Sequence, residues 1–177
     1  LGIDFMDNEN AAVKQSRPEW GEQELRTVIY QGHEIDGYKI AKDGLCISYK
    51  RSKEGRPLEW GGAGQMGQKY PAVVLMIPDN GTLFVDRSVK NYNANNKMVK
   101  RTIKIHTMVA DTWGEHMDCP EDLEPFWAAL STEIKEVLRT FFVVDHIDND
   151  RCNNHVDNLR FLSPRNNHFR RKHKNNT

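Results

Sequence analysis

The chain has 177 residues, which suffice for one compact domain or two small ones, and its 25 Lys and Arg balance its 25 Asp and Glu. No run of about 18 apolar residues occurs, and the N-terminal LGIDFMDNEN lacks an apolar segment, so the sequence predicts neither a transmembrane helix nor a signal peptide. Three widely spaced cysteines predict neither a zinc knuckle nor a disulfide set. We therefore expect a cytoplasmic protein without a membrane partner.

Charge is unevenly distributed along the chain despite the net charge of zero. Residues 1–36 contain eight Asp and Glu, whereas residues 87–106 and 158–177 each contain six Lys and Arg and no acidic residue. Two such basic zones predict a surface that faces phosphate groups on a neutral protein. A solvated surface with a mobile C-terminal tail is the alternative interpretation.

Short strands dominate the prediction for the first part of the chain. We expect a polar arm over residues 1–25 and a β-rich part over residues 26–104. The expected strands are apolar or alternating and are separated by turn residues; they cover 38–40, 45–50, 72–77, 82–85 and 102–105. Hairpin turns are expected at KDG (42–44) and DNG (79–81), and loops at GGAG (61–64) and NYNANNK (91–97).

Two helices are expected before the C-terminal segment. A short helix is predicted over 106–113, and apolar residues at helical spacing predict a clearer one over 125–141. The apolar positions of the second helix are Phe126, Trp127, Leu130, Ile134, Val137, Leu138 and Phe141. Such a stripe favours packing into the core.

The stretch from 143 to 173 combines four Asp, four His and six Asn with a basic end. FFVVDH (141–146) is typical of a buried strand, LRFL (159–162) of a second strand, and SPRNNHFRRKH (163–173) of a helix that Ser163 caps. A strand, a long loop, a strand and a helix can bring the end of the first strand beside the first turns of the helix.

Three side chains of this stretch suit metal-assisted hydrolysis. Asp145 offers a carboxylate and Asn167 an amide oxygen, the ligand types that Mg²⁺ prefers. His146 can accept a proton from water near neutral pH, and a metal ion can stabilise the charge on a leaving oxygen. Strand alternation places Asp145 and His146 on opposite sides unless a bulge or twist at the strand end brings them together.

The segment DHIDNDRCNNHVDNLRFLSPRNN (145–167) resembles the motif of HNH endonucleases, which have a ββα-metal fold. It is most similar to the branch found in phage and intron-encoded homing endonucleases. IHTMVADTW (105–113) resembles the segment that precedes the motif in that family, with Met108 where Leu is usual. The resemblance implies an α+β protein whose β-rich part is followed by a nuclease part over residues 105–177, with the 125–141 helix as an insertion.

The resemblance also implies an activity, a cofactor and roles for residues. The protein would hydrolyse phosphodiester bonds of double-stranded DNA with one divalent metal, Mg²⁺ or Mn²⁺, inside a bacterial cell and encoded by a phage or mobile element. His146 would be the general base, Asp145 and Asn167 the metal ligands, and Asn158 the residue that braces the loop by hydrogen bonds.

Basic residues from both zones are the candidates for DNA contacts, because phosphate contacts supply most of the non-specific affinity. They are Lys90, Lys97, Lys100, Arg101, Lys104, Arg160, Arg165, Arg170, Arg171 and Lys172. Arg160 is suited equally to contact with the scissile phosphate and to an ion pair with Asp157 or another acid. His106 is expected to have a structural role. A catalytically inactive DNA-binding protein and a restriction-like phage nuclease are the alternative functions. The target sequence, the number of strands cut and the oligomeric state are left open.

Overall fold

The computed structural model of the protein describes residues 18–63, 70–78, 92–93, 97–117 and 119–174; for 92–93 and 170–174 it describes only the backbone. Within these ranges, ten strands form three antiparallel sheets, accompanied by four α-helices. The mixed α and β content agrees with the expected class. The expected strand at 82–85, the turn at 79–81, Lys90 and residues 1–17 of the arm lie outside the described residues.

The first sheet consists of four strands paired in chain order: β1 (Arg26–Tyr30), β2 (His33–Ile40), β3 (Cys46–Ser48) and β4 (Arg56–Pro57). The strand expected over 38–40 is confirmed as part of β2, and the strand expected over 45–50 is confirmed for the residues of β3. The KDG turn between them is also confirmed: Gly44 has a φ of 89°, a conformation that side chains disfavour.

The second sheet has the order β5-β6-β8-β7 and consists of β5 (Gly61–Ala63), β6 (Tyr70–Pro78), β7 (Tyr92–Asn93) and β8 (Met98–Lys104). In β8, Val99 and Ile103 are buried and Lys100 is exposed, as the alternation of a half-buried strand requires. The prediction of loops at 61–64 and 91–97 was wrong in part, because 61–63 pairs with β6 and 92–93 pairs with β8.

Helix α1 (Ile105–Trp113) lies at the centre of the fold and confirms the short helix expected over 106–113. It contacts β1, β2, β6, β8 and the C-terminal strand that ends at His146. Most of its side chains are buried, including the polar His106 and Thr112, so the helix is enclosed on nearly all sides. Trp113, which is fully buried, donates its Nε1 proton to the carbonyl oxygen of Ile40 at 3.3 Å. One cluster of buried side chains therefore joins the first two sheets through α1.

The segment expected as one core helix over 125–141 is two short helices, α2 (Glu124–Trp127) and α3 (Thr132–Arg139). Ser131 separates them, because its side chain accepts a hydrogen bond from the amide of Ile134 and caps a new helix. The expectation of core packing was also wrong. None of the residues of α2 and α3, all of which the structure describes, is buried.

Whereas Trp127, Leu130 and Leu138 are half-buried, four apolar side chains of this segment face solvent. Their exposed fractions are 64% for Phe126, 49% for Ile134, 59% for Val137 and 68% for Phe141. The other side of α3 faces the protein, where Lys135 and Arg139 each lie 5.9 Å from the ring centre of Trp127. The aliphatic stems of these cations can cover an aromatic ring as well as apolar residues can.

The C-terminal segment has the order that its sequence predicts: β9 (Val143–His146), β10 (Leu159–Leu162) and α4 (Pro164–Lys174). The two strands are antiparallel, with His146 opposite Leu159. The cap expected at Ser163 is confirmed, since its hydroxyl accepts a hydrogen bond from the amide of Asn166 at 3.3 Å. Helix α4 contacts both strands.

None of the helices in the described part of the chain is long and apolar enough to cross a membrane.

Candidate active site

His146, the last residue of β9, lies inside the protein and is 5% exposed. Its Nε2 lies 3.2 Å from Oδ1 of Asn154, a residue of the loop between β9 and β10 that is 1% exposed. A hydrogen bond between two buried side chains restrains both of them. The residue that the sequence predicts as a base is therefore held in one orientation.

Two other rings surround His146. The ring of His106, from the start of α1, lies edge-on at 5.2 Å between centres, and the ring of Tyr70, from the start of β6, stacks at 6.2 Å. Tyr70 and His106 also contact each other, with centres 4.9 Å apart. Residues from three separate elements thus form the pocket that holds His146.

His106 is neutral at physiological pH. Its burial, followed by the proximity of His146 and Lys104, lowers its pKa from 6.5 to about 3. Its Nδ1 is buried and has no hydrogen-bond partner among the described residues. His106 therefore places an uncharged ring, and no positive charge, beside His146.

Two cations approach the same pocket over the ring of Tyr70. The Lys104 ammonium lies 4.8 Å from the ring centre, and the Arg151 guanidinium lies 5.1 Å from it. Lys104 ends β8 and Arg151 belongs to the loop after β9, so the second sheet and the C-terminal segment each contribute one charge. Two cations near a ring that stacks on His146 are groups that can hold a phosphate group.

Asp145 is bound to a basic residue on the neighbouring strand. Its Oδ2 accepts a hydrogen bond from Nε of Arg160 at 3.2 Å, and the two residues are directly opposite in the β9–β10 pair. Both side chains are about one fifth exposed, at 19% and 21%. The sequence suited Arg160 to a DNA contact or to an ion pair with an acidic residue, and the structure shows an ion pair with Asp145. Asp157 instead lies beside His155 at 3.4 Å.

The loop between β9 and β10 is closed by hydrogen bonds of Asn158. Its Nδ2 donates to Oδ1 of Asp148 at 2.9 Å and to the carbonyl oxygen of Asn153 at 2.8 Å, and its Oδ1 accepts from the amide of Asp148 at 3.1 Å. Asn153 in turn donates to the other carboxylate oxygen of Asp148 at 2.7 Å. These bonds connect both ends of the loop, so it keeps its shape although half of its residues are exposed.

Asn167 is half-buried in the first turns of α4, where its amide donates to the carbonyl oxygen of Ser163 at 3.0 Å. Helix α4, which carries Asn167, contacts β9, the strand that carries Asp145. One carboxylate and one amide oxygen form a donor set that suits a hard divalent cation with several water ligands. Within the described ranges, no three His, Cys, Asp or Glu side chains form a metal-binding group.

The predicted DNA contacts are distributed over several surfaces. On β8, Lys100 is exposed and Lys104 shares its face, whereas Arg101 lies on the face that carries the buried Val99 and Ile103. Lys97 is exposed at a turn, and Arg165 is exposed on α4. Arg170, Arg171 and Lys172 belong to α4, of which only the backbone is described at these positions, and Lys90 is outside the described residues.

Three residues of the pocket were not predicted from the sequence: Tyr70, Arg151 and Asn154. Asn154 lies within the motif, as the second residue of an Asn-Asn pair, so a role for it was detectable there. Tyr70 lies 76 residues before His146 in sequence, and only the pairing of β6 and β8 brings it to the site. No local pattern marks such a contact.

The chain matches no protein-family model, and no curated protein matches its sequence. Among solved structures, it is similar to one described by the words "DNA binding and cleavage by the HNH homing endonuclease I-HmuI", with a TM-score of 0.49 and 18% sequence identity. The match covers 87% of this chain and 60% of that chain, so the chain spans about three fifths of its length.

Proposed function

We propose that the protein is a DNA endonuclease that hydrolyses phosphodiester bonds with one divalent metal ion, and that it is a homing-type HNH enzyme of a phage or mobile element. The observation that carries the proposal is the position of His146. It is oriented by Asn154, follows Asp145 directly on β9 and stacks on the ring of Tyr70, near which Lys104 and Arg151 also lie. The resemblance of residues 145–167 to the HNH motif supports the same activity.

In this proposal His146 is the general base, which takes a proton from the attacking water. Asp145 and Asn167 hold the metal ion, Mg²⁺ or Mn²⁺, which when bound supplies stabilisation of negative charge on the leaving 3′ oxygen. Arg160 keeps the Asp145 carboxylate in place through the ion pair. The products are a 5′-phosphate and a 3′-hydroxyl, as the resemblance implies.

The cations around Tyr70 give the proposal its substrate. Lys104 and Arg151 bind the phosphate next to the bond that is cut, and the exposed Lys100 binds a phosphate further along the DNA. Asn158 keeps the loop that carries Arg151 and Asn154 in its folded shape. The loop and the second sheet therefore act together on one DNA backbone.

A DNA-binding protein that does not cut is the second candidate. The observation that favours it is the burial of His146, which is 5% exposed, because a general base must reach water. Cleavage assays separate the two candidates, since both predict DNA binding.

The test is cleavage of supercoiled plasmid at low salt with Mg²⁺ or Mn²⁺, and with EDTA as the metal-free control. Asp145→Ala and Asn167→Ala are compared with Asp157→Ala and Asn166→Ala, which change the same residue types nearby. We expect the first pair to lose at least about 100-fold in rate while still binding DNA, and the second pair to cut as the wild type does. Cleavage that persists in EDTA, or equal rates in all four variants, would remove the metal site from the proposal.

Neighbouring cations on β8 test the DNA-binding face. Lys100 is exposed, whereas Arg101 points to the other side of the strand. We expect Lys100→Gln to weaken DNA binding and to reduce its salt dependence by about one phosphate contact, and Arg101→Gln to leave the salt dependence unchanged. A salt titration of the dissociation constant measures both. A larger change in slope for Arg101→Gln than for Lys100→Gln would place the DNA on the opposite face.

A further inference from the structure

Asn154 is buried beside the proposed base, and its two side-chain atoms have separate partners. Its Oδ1 lies 3.2 Å from Nε2 of His146, and its Nδ2 donates to the carbonyl oxygen of Cys152 at 3.0 Å. A buried amide is stable only when both of its polar ends have hydrogen-bond partners, and both ends of Asn154 have one.

The Cys152 carbonyl fixes which end of the amide faces His146. A carbonyl oxygen only accepts hydrogen bonds, so the NH₂ end of Asn154 must be the one that faces it. The amide oxygen is then left to face His146. Because an amide oxygen also only accepts, the hydrogen bond at 3.2 Å requires a proton on Nε2 of His146.

A neutral imidazole carries one N–H, so a proton on Nε2 leaves the lone pair on Nδ1. We infer that Asn154 is a positioning residue that holds neutral His146 as the Nε2–H tautomer, so that Nδ1 is the nitrogen that takes the proton from water. The inference deepens the proposed function and rests on it for its catalytic meaning. In the reaction, the water oxygen forms a bond to phosphorus, its proton moves to Nδ1, the bond from phosphorus to the 3′ oxygen breaks, and that oxygen takes a proton from solvent.

The first sheet supports Asn154 from behind. The amide of Val156 donates to the carbonyl oxygen of Lys42 at 2.8 Å, which ties the loop to the KDG turn. A Cβ on Gly44 would lie 3.4 Å from Cβ of Asn154, so the turn approaches the loop closely. The asparagine is therefore held by parts of the fold that do not belong to the motif itself.

Two variants separate the acceptor from the rest of the side chain. Asn154→Leu and Asn154→Asp both lose the N–H that Cys152 accepts, but only Asn154→Leu removes the acceptor for Nε2. The readout is the pair of ¹⁵N chemical shifts of His146, recorded at a pH where the ring is neutral. We expect protonated Nε2 in the wild type and in Asn154→Asp, and a mixture of both tautomers in Asn154→Leu.

Cleavage kinetics give the second readout. We expect Asn154→Leu to lower kcat by about 10- to 100-fold with little change in KM, and Asn154→Asp to lose less. A protonated Nδ1 in the wild type would overturn the inference, and so would one tautomer shared by the wild type and Asn154→Leu. If Asn154→Leu does not fold, the wild-type spectrum alone decides. Because the spectrum needs no activity, an absent nuclease would leave the tautomer assignment standing and overturn only its catalytic meaning.

Discussion

The loop between β9 and β10 and the helical segment of α2 and α3 differ in opposite ways from what their compositions suggest. The loop consists mainly of polar residues, and half of the loop residues are exposed, yet Asn158, Asp148 and Asn153 connect it by hydrogen bonds of 2.7 to 3.1 Å. The helical segment has apolar residues at regular spacing, yet Val137 and Phe141 are 59% and 68% exposed.

The comparison shows that order at the candidate site comes from short polar side chains that satisfy backbone groups, and much less from apolar periodicity. Asn and Asp form such bonds within a few residues, so a loop of 12 residues from Ile147 to Asn158 can hold one shape. Apolar spacing determines only which residues share a helix face. Whether that face is buried depends on what else the fold places against it.

The largest effect is expected at acidic pH, where protonation of His106 in the pocket beside the loop should lower the free energy of unfolding. The folded protein holds His106 with a pKa of about 3, below its ordinary 6.5, so the unfolded chain binds a proton that the folded one does not. The stability that depends on a neutral His106 is therefore fully present above pH 6.5. It is lost as the pH falls toward 3, and the free energy of unfolding then decreases by an amount on the order of a few kcal/mol.

Urea unfolding of wild type, His106→Leu and the control His116→Leu between these two pH values measures that loss. His116 is exposed by more than a third. We expect the stability of His106→Leu to fall less steeply with acid than that of the other two proteins. Parallel curves for all three would contradict the role given to burial of His106.

The next largest effect tests the close approach of the KDG turn to α1. Gly44→Ala would place a Cβ 2.4 Å from Cγ2 of Ile105 at a φ of 89°, so we expect a loss of about 2 to 4 kcal/mol. Gly32→Ala is the matched control, because its φ is 78° but nothing lies within 4 Å, and it should cost only about 1 to 2 kcal/mol. Equal losses in urea unfolding would mean that the contact with α1 carries no strain.

A smaller effect is expected from the hydrogen bonds inside the loop. Asn158→Ala removes three bonds and should lower stability by about 1 to 3 kcal/mol, with faster amide hydrogen exchange at Asp148. Asn153→Ala removes a single side-chain bond and should cost about half as much. If Asn153→Ala proved the more damaging of the two, Asn158 would not be the residue that closes the loop.

The smallest effect is expected in α3. Val137→Ser changes an exposed residue and should alter stability by less than about 0.5 kcal/mol, whereas Val109→Ser in the buried α1 should cost at least about 2 kcal/mol. Thermal unfolding of both variants compares the two helices directly. A large loss for Val137→Ser would show that the apolar face of α3 is covered in solution.

Local chemistry made the strands and caps of this fold predictable from sequence. The apolar run at 72–77, the KDG turn and the Ser163 cap each follow from a few neighbouring residues, and the structure contains all three. The edge strand at 61–63 was missed, because glycines carry no side-chain pattern and the strand depends on backbone pairing with β6.

The candidate site was predictable only in part for a similar reason. The motif indicates His146 and Asp145 as site residues. The predicted pair of strands implies that Asp145 has a neighbour on the second strand, and the structure shows that this neighbour is Arg160. The position of Tyr70 and Lys104 over the pocket depends on how the second sheet packs on α1, and that packing has no signature within one stretch of sequence.

The central claim is that His146 acts as the base of a nuclease, and the most direct measurement is the rate of plasmid cleavage by His146→Gln beside His155→Gln. Both variants remove an imidazole from the same region, but the His155 side chain is 44% exposed and lies beside Asp157, and it does not take part in the bond between His146 and Asn154. The account predicts that His146→Gln loses at least about 100-fold in rate while it still binds DNA, and that His155→Gln cuts like the wild type. Equal cleavage by both variants, with each shown to be folded, would contradict it.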